Sequence, residues 1–470
     1  MDGFVERVAL TLNAMDPTTP PSYNEGMPRV AGALPPNYSR YASSVALRVQ
    51  TEHYFHLPPR SVKPPWATLK LISRSQSATQ LPIFLEGDRI GGRLTFNLTQ
   101  PESIVAINAY VKGQIIPGPT DKDTFPFLEV STTLWTKADG DPRNPGGRFS
   151  GKLSGHHEWN FSINMPKAVT IPTTPYFTGA SFPLPHTFRE RRFPTSIQYL
   201  LVVELIRGRF RTNSRIQTEF AYVPGTRPSP PSALRRLAYQ QNTPLIGPEI
   251  DTAGWKQFPA LHVKGTIFNK RPVEIICTLA LAKPLSYTRG SPLPCLMTLA
   301  STDAQALDLF ASPQSLSVYL RRRLKPIVSA SKRTGMFDAN ADLSADPAEN
   351  MAVATWWPTS PNPETHMPSR RLSGEIYLPA TLKPTSRIAY FAVEYSVEVL
   401  PFKATTFVPS ADSVVPLLKV DIEVTTMFAA NSERPRVYAP VSHAASMQQE
   451  PTRDNYFNVP MDEMSTVWRT

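Results

Sequence analysis

The chain has 470 residues, 41% apolar and 19% charged, so most of it is expected to fold around hydrophobic cores. Its 50 prolines, about twice the usual ~5% share, exclude a mainly helical protein, because proline lacks the amide hydrogen that helix interiors and central strands use. The net charge of +11 favours anionic partners (phosphorylated tails, acidic lipid headgroups or nucleic acid) without choosing among them. Two cysteines, Cys277 and Cys295, are too few for a disulfide-built secreted scaffold and read as buried, reduced thiols.

Residues 1–45 show no sustained alternation and are expected to form a disordered tail. Phe4, Val5, Val8 and Leu12 are spaced for one face of a short helix, but Asp2, Glu6 and Arg7 interrupt the run and no signal-peptide layout is visible. Residues 46–224 alternate with a period of two. Ile90, Leu94 and Phe96 form one set, Val105, Ile107, Ala109 and Val111 another, and Trp159, Phe161, Ile163 and Met165 a third. Such alternation marks antiparallel strands with one buried and one wet face. Residues 225–254 are rich in proline and short of alternation, which predicts an interdomain linker. Alternation resumes over 255–430, in Ala389, Phe391, Val393, Tyr395, Val397 and Val399 and again in Leu418, Val420, Ile422 and Val424. Within that span, 329–368 reads as an inserted loop, with SADPAEN and WWPTSPNPE as turn-rich pieces, and 431–470 as a second disordered tail. The apolar run Ile275 to Ala282 is far shorter than the ~20 residues a membrane span needs. The expected fold is all-β, with two tandem antiparallel β-sandwich domains in a soluble, cytoplasmic protein.

Several fragments suggest catalysis and then fail. Gly146 to Lys152 matches GxxxxGK, but Leu153 stands where a magnesium-binding hydroxyl is needed, and a strand pattern follows where a helix is required. His156 and His157 are adjacent, so on a strand they point to opposite faces and cannot share a metal. No HExxH, paired CxxC or GxSxG occurs. No enzyme activity, cofactor or metal is expected. The sequons at Asn37, Asn97 and Asn160 carry weight only in a secreted chain.

Four segments of the first domain, taken in order, resemble an arrestin N-terminal domain. They are FLEGDRIGGRLTF around Gly87-Asp88, IVAINAYVKGQI ending past Gly113, GHHEWNFSINMP closed by Pro166, and LPHTFRERRFPTSIQYLLVVELIR with Leu184-Pro185, Thr187-Phe188, Ile197 and Tyr199. LALAKPLSYTRGSPLPCLMTL, through Tyr287, Gly290 and Pro294, is similar to the opening of the arrestin C-terminal domain. The resemblance covers roughly residues 50 to 430. It implies immunoglobulin-like sandwiches in a trafficking or signalling adaptor, and it assigns no buried charged core of the kind found in visual arrestins.

The tail adds an independent clue. Pro20-Pro21-Ser22-Tyr23 and Pro35-Pro36-Asn37-Tyr38 are both PPxY, where composition alone gives about 0.2 matches in the whole chain. A polyproline-II turn of this type sets prolines on an aromatic groove and the tyrosine in its own pocket, as WW domains require. Alpha-arrestins use such motifs to recruit WW-containing HECT-type ubiquitin ligases to membrane protein cargo, although many carry them after the arrestin fold. The resemblance therefore implies a non-catalytic adaptor for ubiquitylation and endocytosis, recruited peripherally to plasma membrane or endosomes. The alternative is a retromer-like or structural scaffold without a ubiquitin link. Candidate contacts for phosphorylated cargo or anionic lipid are Arg189, Arg191 and Arg192, then Arg207, Arg209 and Arg211, which would share one face at alternate strand positions, and Arg321, Arg322 and Arg323. No compact aromatic-basic platform is present, so nucleic acid is not an expected partner.

Overall fold

The computed structural model describes residues 50–440, apart from 59–63, 119–123, 144–148, 150, 174–178, 192, 209–210, 326–347, 360–367, 390, 405 and 411–414. Both PPxY motifs, Arg192 and Arg209 lie outside the described residues.

The first half is all strand: β1 (Thr51–Leu57), β2 (Ala67–Ser73), β3 (Ile83–Leu85), β4 (Arg89–Glu102), β5 (Ile104–Ile116), β6 (Phe125–Thr136), β7 (Leu153–Asn164), β8 (Ala168–Ile171), β9 (Ala180–Pro183), β10 (Ser196–Arg207) and β11 (Ser214–Val223). A four-stranded sheet ordered β1-β2-β4-β7 packs against a five-stranded sheet ordered β3-β11-β10-β5-β6, while β8 and β9 form a separate ribbon. The inner faces follow the period-two reading. Leu69, Leu71, Ile90, Leu94 and Phe96 from one sheet meet Ile107, Ala109, Val111, Tyr199, Leu201 and Val203 from the other, all fully buried. Val105 departs from the pattern and is 39% exposed, because the pairing of β10 with β5 shifts register between Ile206 and Arg207 at that point.

The predicted linker is folded. It carries helix α1 (Ala233–Gln241), whose N-cap Ser232 accepts a hydrogen bond from the Arg235 amide and whose C-cap Asn242 is left-handed at φ 56°. Buried Arg235 docks this helix on the second half, donating to the carbonyls of Lys283 and Gly254 and lying 5.1 Å over the Trp255 ring. Nine residues are too few for helical periodicity to stand out among prolines.

The second half comprises β12 (Trp255–Gln257), β13 (Leu261–Ile267), β14 (Arg271–Ala282), β15 (Ser286–Thr288), β16 (Pro292–Ala300), α2 (Ala304–Phe310), β17 (Val318–Lys325), β18 (Glu349–Thr359), β19 (Ser369–Tyr377), β20 (Ser386–Ile388), β21 (Phe391–Val399), β22 (Phe407–Pro409) and β23 (Leu418–Thr425). They hydrogen-bond as one curled sheet ordered β15-β23-β21-β17-β18-β19-β16-β14-β13-β22, with β12 on β14 and β20 on β21. Strand β18 turns the corner: Glu349 to Val353 pair with β17, and Ala354 to Thr359 pair with β19. This corrects the inserted-loop expectation for 329–368, since 349–359 is structural. Pro358, one of the prolines that suggested a turn, sits where β18 pairs with β19 alone, the edge setting in which strands tolerate proline. Trp356 fixes the corner by lying across Gly374, where a Cβ would fall 2.4 Å from the indole.

The two halves share one continuous core. Phe188 of the 184–193 segment meets Phe391 of β21 with centroids 5.0 Å apart, and Phe193 lies 6.2 Å from the same ring.

Candidate functional site

The segment from Leu184 to Arg191 lies between the sandwiches because the first sheet anchors its opening residues. Tyr199 donates its hydroxyl to the Pro185 carbonyl at 2.7 Å, the Tyr222 amide donates to Thr187 Oγ1 at 2.8 Å, and Phe188 bridges Ile197. Beyond Phe188, Glu190 reaches the second half and receives both guanidinium nitrogens of Arg322, at 2.6 and 2.8 Å. Arg322 is only 7% exposed and also donates to Glu349 at 2.6 Å. Burial disfavours its charge, but Glu190 and Glu349 more than offset this, so it stays protonated well above its ordinary range. More basic side chains crowd the same junction. Burial pushes the Lys383 ammonium down to about 8 and the Arg289 guanidinium down to about 9, and holds His186 well below its ordinary value.

The three β17 arginines therefore do not form an open cationic surface. Strand alternation sends Arg322 to one face and Arg321 and Arg323 to the other. There both reach fully buried Glu398, at 2.8 and 2.5 Å. Burial works against the Glu398 charge, yet hydrogen bonds from Ser396, Arg323 and Arg321 outweigh it and keep the carboxylate below its usual range. The expectation of cargo contact at Arg321, Arg322 and Arg323 is corrected on this ground: their partners were invisible in sequence because Glu190 and Glu398 are 132 and 77 residues away.

Of the expected face of Arg207, Arg209 and Arg211, the described residues place Arg207 at the end of β10 and Arg211 beyond it, so these two are not alternate positions of one strand. The Arg207 amide donates to Asn213 Oδ1 at 3.0 Å, and the Arg211 amide donates to the Gly208 carbonyl at 3.2 Å. Arg207 and Arg211 converge on Glu102, at 3.2 and 3.5 Å, and Arg207 lies 5.6 Å over Trp66. Arg189 and Arg191 are exposed and have no ion pair among the described residues. They sit before the start of β10 while Arg207 sits at its end, so strand rise puts the two groups roughly 35 Å apart. The seven described arginines of the expected set do not converge.

A different basic surface does form. On the solvent face of the four-stranded sheet, Lys70, Ile72, Arg89, Gly91, Arg93 and Asn160 line an open hollow of about 440 Å³. Arg89, Gly91 and Arg93 share one face of β4 by alternation, and the bare Gly91 leaves the floor between the two arginines open. Lys70 pairs with Glu52 at 2.6 Å and Arg93 with Glu158 at 2.9 Å, whereas exposed Arg89 has no ion pair among the described residues. The signal for this site was the RIGGR spacing itself, two arginines flanking glycine at alternate positions. No family model matches the chain, and no curated protein matches it.

Proposed function

We propose that the chain is a non-catalytic, arrestin-like adaptor that joins a WW-domain HECT-type ubiquitin ligase to membrane protein cargo. The observation that carries this reading is the pair of PPxY motifs at Tyr23 and Tyr38, set within twenty residues of each other and ahead of an all-β body. Two copies on one segment suit tandem WW domains, where the second contact forms at high effective concentration. The body supports the reading by offering polar, open surfaces, above all the hollow around Arg89, to an acidic or phosphorylated cargo segment.

The test uses the full chain and a tandem WW domain from a HECT ligase. Micromolar binding is expected for the wild type, with at least a tenfold loss for Tyr23→Ala combined with Tyr38→Ala. Equal binding by both chains would remove the ligase from the proposal. Binding without ubiquitylation of any cargo would favour the scaffold alternative. On the cargo side, Arg89→Glu is expected to weaken binding of an acidic phosphopeptide several-fold while leaving WW binding intact, and titration of both ligands against the same variant checks this.

A further inference from the structure

We propose that the hairpin tip between β13 and β14 is a membrane contact, at which the Phe268 ring enters a bilayer of anionic phospholipid. Two properties set Phe268 apart. Its backbone is left-handed at φ 54°, and the other described non-glycine residues in that region are asparagines, an alanine and a threonine, none with a large apolar side chain. Its ring is 68% exposed, whereas Phe402 and Phe407, which lie at the same end of the sheet, pack on Phe310 with centroids 5.9 and 4.7 Å away. Asparagine tolerates left-handed backbone through its short polar side chain, but a bulky apolar residue there is strained and persists only where the surroundings impose it. Here they do. The Lys270 amide donates to the Ile267 carbonyl at 3.2 Å, the Phe268 amide donates to the Thr406 carbonyl at 3.0 Å, and Gly265 to Ile267 pair with Phe407 to Pro409 of β22. The tip is thus a rigid mount that holds a strained aromatic ring out in water.

The charges around the ring select an anionic bilayer as its partner. Lys270 in the turn and Lys403, on the segment leading into β22, are exposed and have no ion pair among the described residues. Carboxylates beside them are already held, Glu274 by His262 and Lys264 at 2.8 and 3.6 Å, and Asp303 by Arg271 at 3.1 Å. Val408, 49% exposed, stands opposite Thr266 and adds an aliphatic group behind the ring. One ring, one valine and two ammonium groups on a projecting turn fall well short of the roughly 800 Å² per partner that a stable protein interface buries. A bilayer makes no such demand. The ring sinks below the headgroups while the lysines keep their ammonium groups at the phosphates, which gives a weak, reversible contact.

Co-sedimentation of the full chain with phosphatidylcholine vesicles, either pure or carrying about 30% phosphatidylserine, tests the proposal. Such vesicles hold neither ligase nor cargo, so the result is independent of the adaptor reading. The wild type is expected to bind the anionic vesicles about tenfold more tightly than the neutral ones. Phe268→Asn places a residue suited to left-handed backbone at the tip, so it is expected to raise the melting temperature by roughly 1–2 °C while weakening vesicle binding about tenfold. Opposite signs in these two readouts separate a strained contact residue from one that merely supports the fold. Lys270→Glu combined with Lys403→Glu is expected to abolish the preference for phosphatidylserine. A wild type that ignores both vesicles would overturn the proposal and leave the tip to a protein partner. Vesicle binding unchanged by Phe268→Asn would overturn it as well, by placing the contact elsewhere on the chain.

Discussion

Changing Glu190 to alanine is expected to destabilise the protein by about 3 kcal/mol, because it strands a buried guanidinium at the junction of the two sandwiches. Arg322 is 7% exposed, and its remaining partner Glu349 has a side chain 61% exposed, so water competes for that second contact. The same reasoning ranks the two carboxylates. Glu349→Ala should cost no more than about 1 kcal/mol, as exposed ion pairs do. Replacing Glu190 and Arg322 together with apolar residues of similar volume should cost less than Glu190→Ala, since no unpaired charge is then left behind. Urea unfolding of the three variants checks the order. Equal losses for Glu190→Ala and Glu349→Ala would mean that the bidentate contact does not hold the junction. Because Glu190 leaves Phe188 by only two residues, and Phe188 packs on Phe391, loosening the ion pair should also raise amide exchange in β21.

The second large effect is a pH dependence centred on Glu375 of β19. Its carboxylate is buried and accepts the amides of Tyr438 and Ala439, at 2.8 and 3.2 Å, where the chain after β23 crosses α1. Tyr438 stacks on Tyr239 there, with centroids 6.4 Å apart, and Arg436 binds the Tyr239 carbonyl. Burial raises Glu375 from 4.5 to about 7, and the two amides only partly counter it. A folded-state value above the unfolded one means that the folded protein holds its proton more tightly. The contribution is therefore fully present below pH 4.5 and is lost as the pH rises towards 7, by about 3 kcal/mol in all. Glu375→Gln cannot titrate, so the stability of wild type minus variant should fall across that window and level off above it. Tyr239, Tyr438 and Cys295, the ionisable groups that face Glu375, are all raised by burial and stay neutral throughout, which leaves the slope to Glu375. A flat difference curve between pH 4.5 and 7.5 would show that the carboxylate is not buried in this way.

Much of the architecture was legible from local pattern. The runs Ile107, Ala109, Val111 and Val393, Tyr395, Val397 alternate because successive strand residues point to opposite faces, a property of the backbone that needs no distant partner. All of them are buried, and the all-β class follows from such runs together with the proline content. The basic hollow was half legible. Arg89, Gly91 and Arg93 lie in a segment already singled out for its resemblance, and their spacing placed them on one face, but the choice between the inner and outer face depended on which neighbours closed the sandwich.

Features that depend on long-range closure were not legible. A proline-rich stretch held α1 because Ser232 caps it and Arg235 finds two carbonyls and an indole on another element. Turn-rich flanks hid β18, whose strand conformation is earned by pairing with β17 on one side of a corner and β19 on the other. Arginine runs read as cargo contacts because charge is visible in sequence and pairing is not. By itself the sequence determined the strand periodicity, the all-β class and the two PPxY motifs, all of which are set by neighbours a few residues apart. Only the tertiary structure decided that Arg321, Arg322 and Arg323 serve Glu398 and Glu190 and that Arg89 faces water, because a buried charge takes the partner that the closed fold brings within hydrogen-bonding distance.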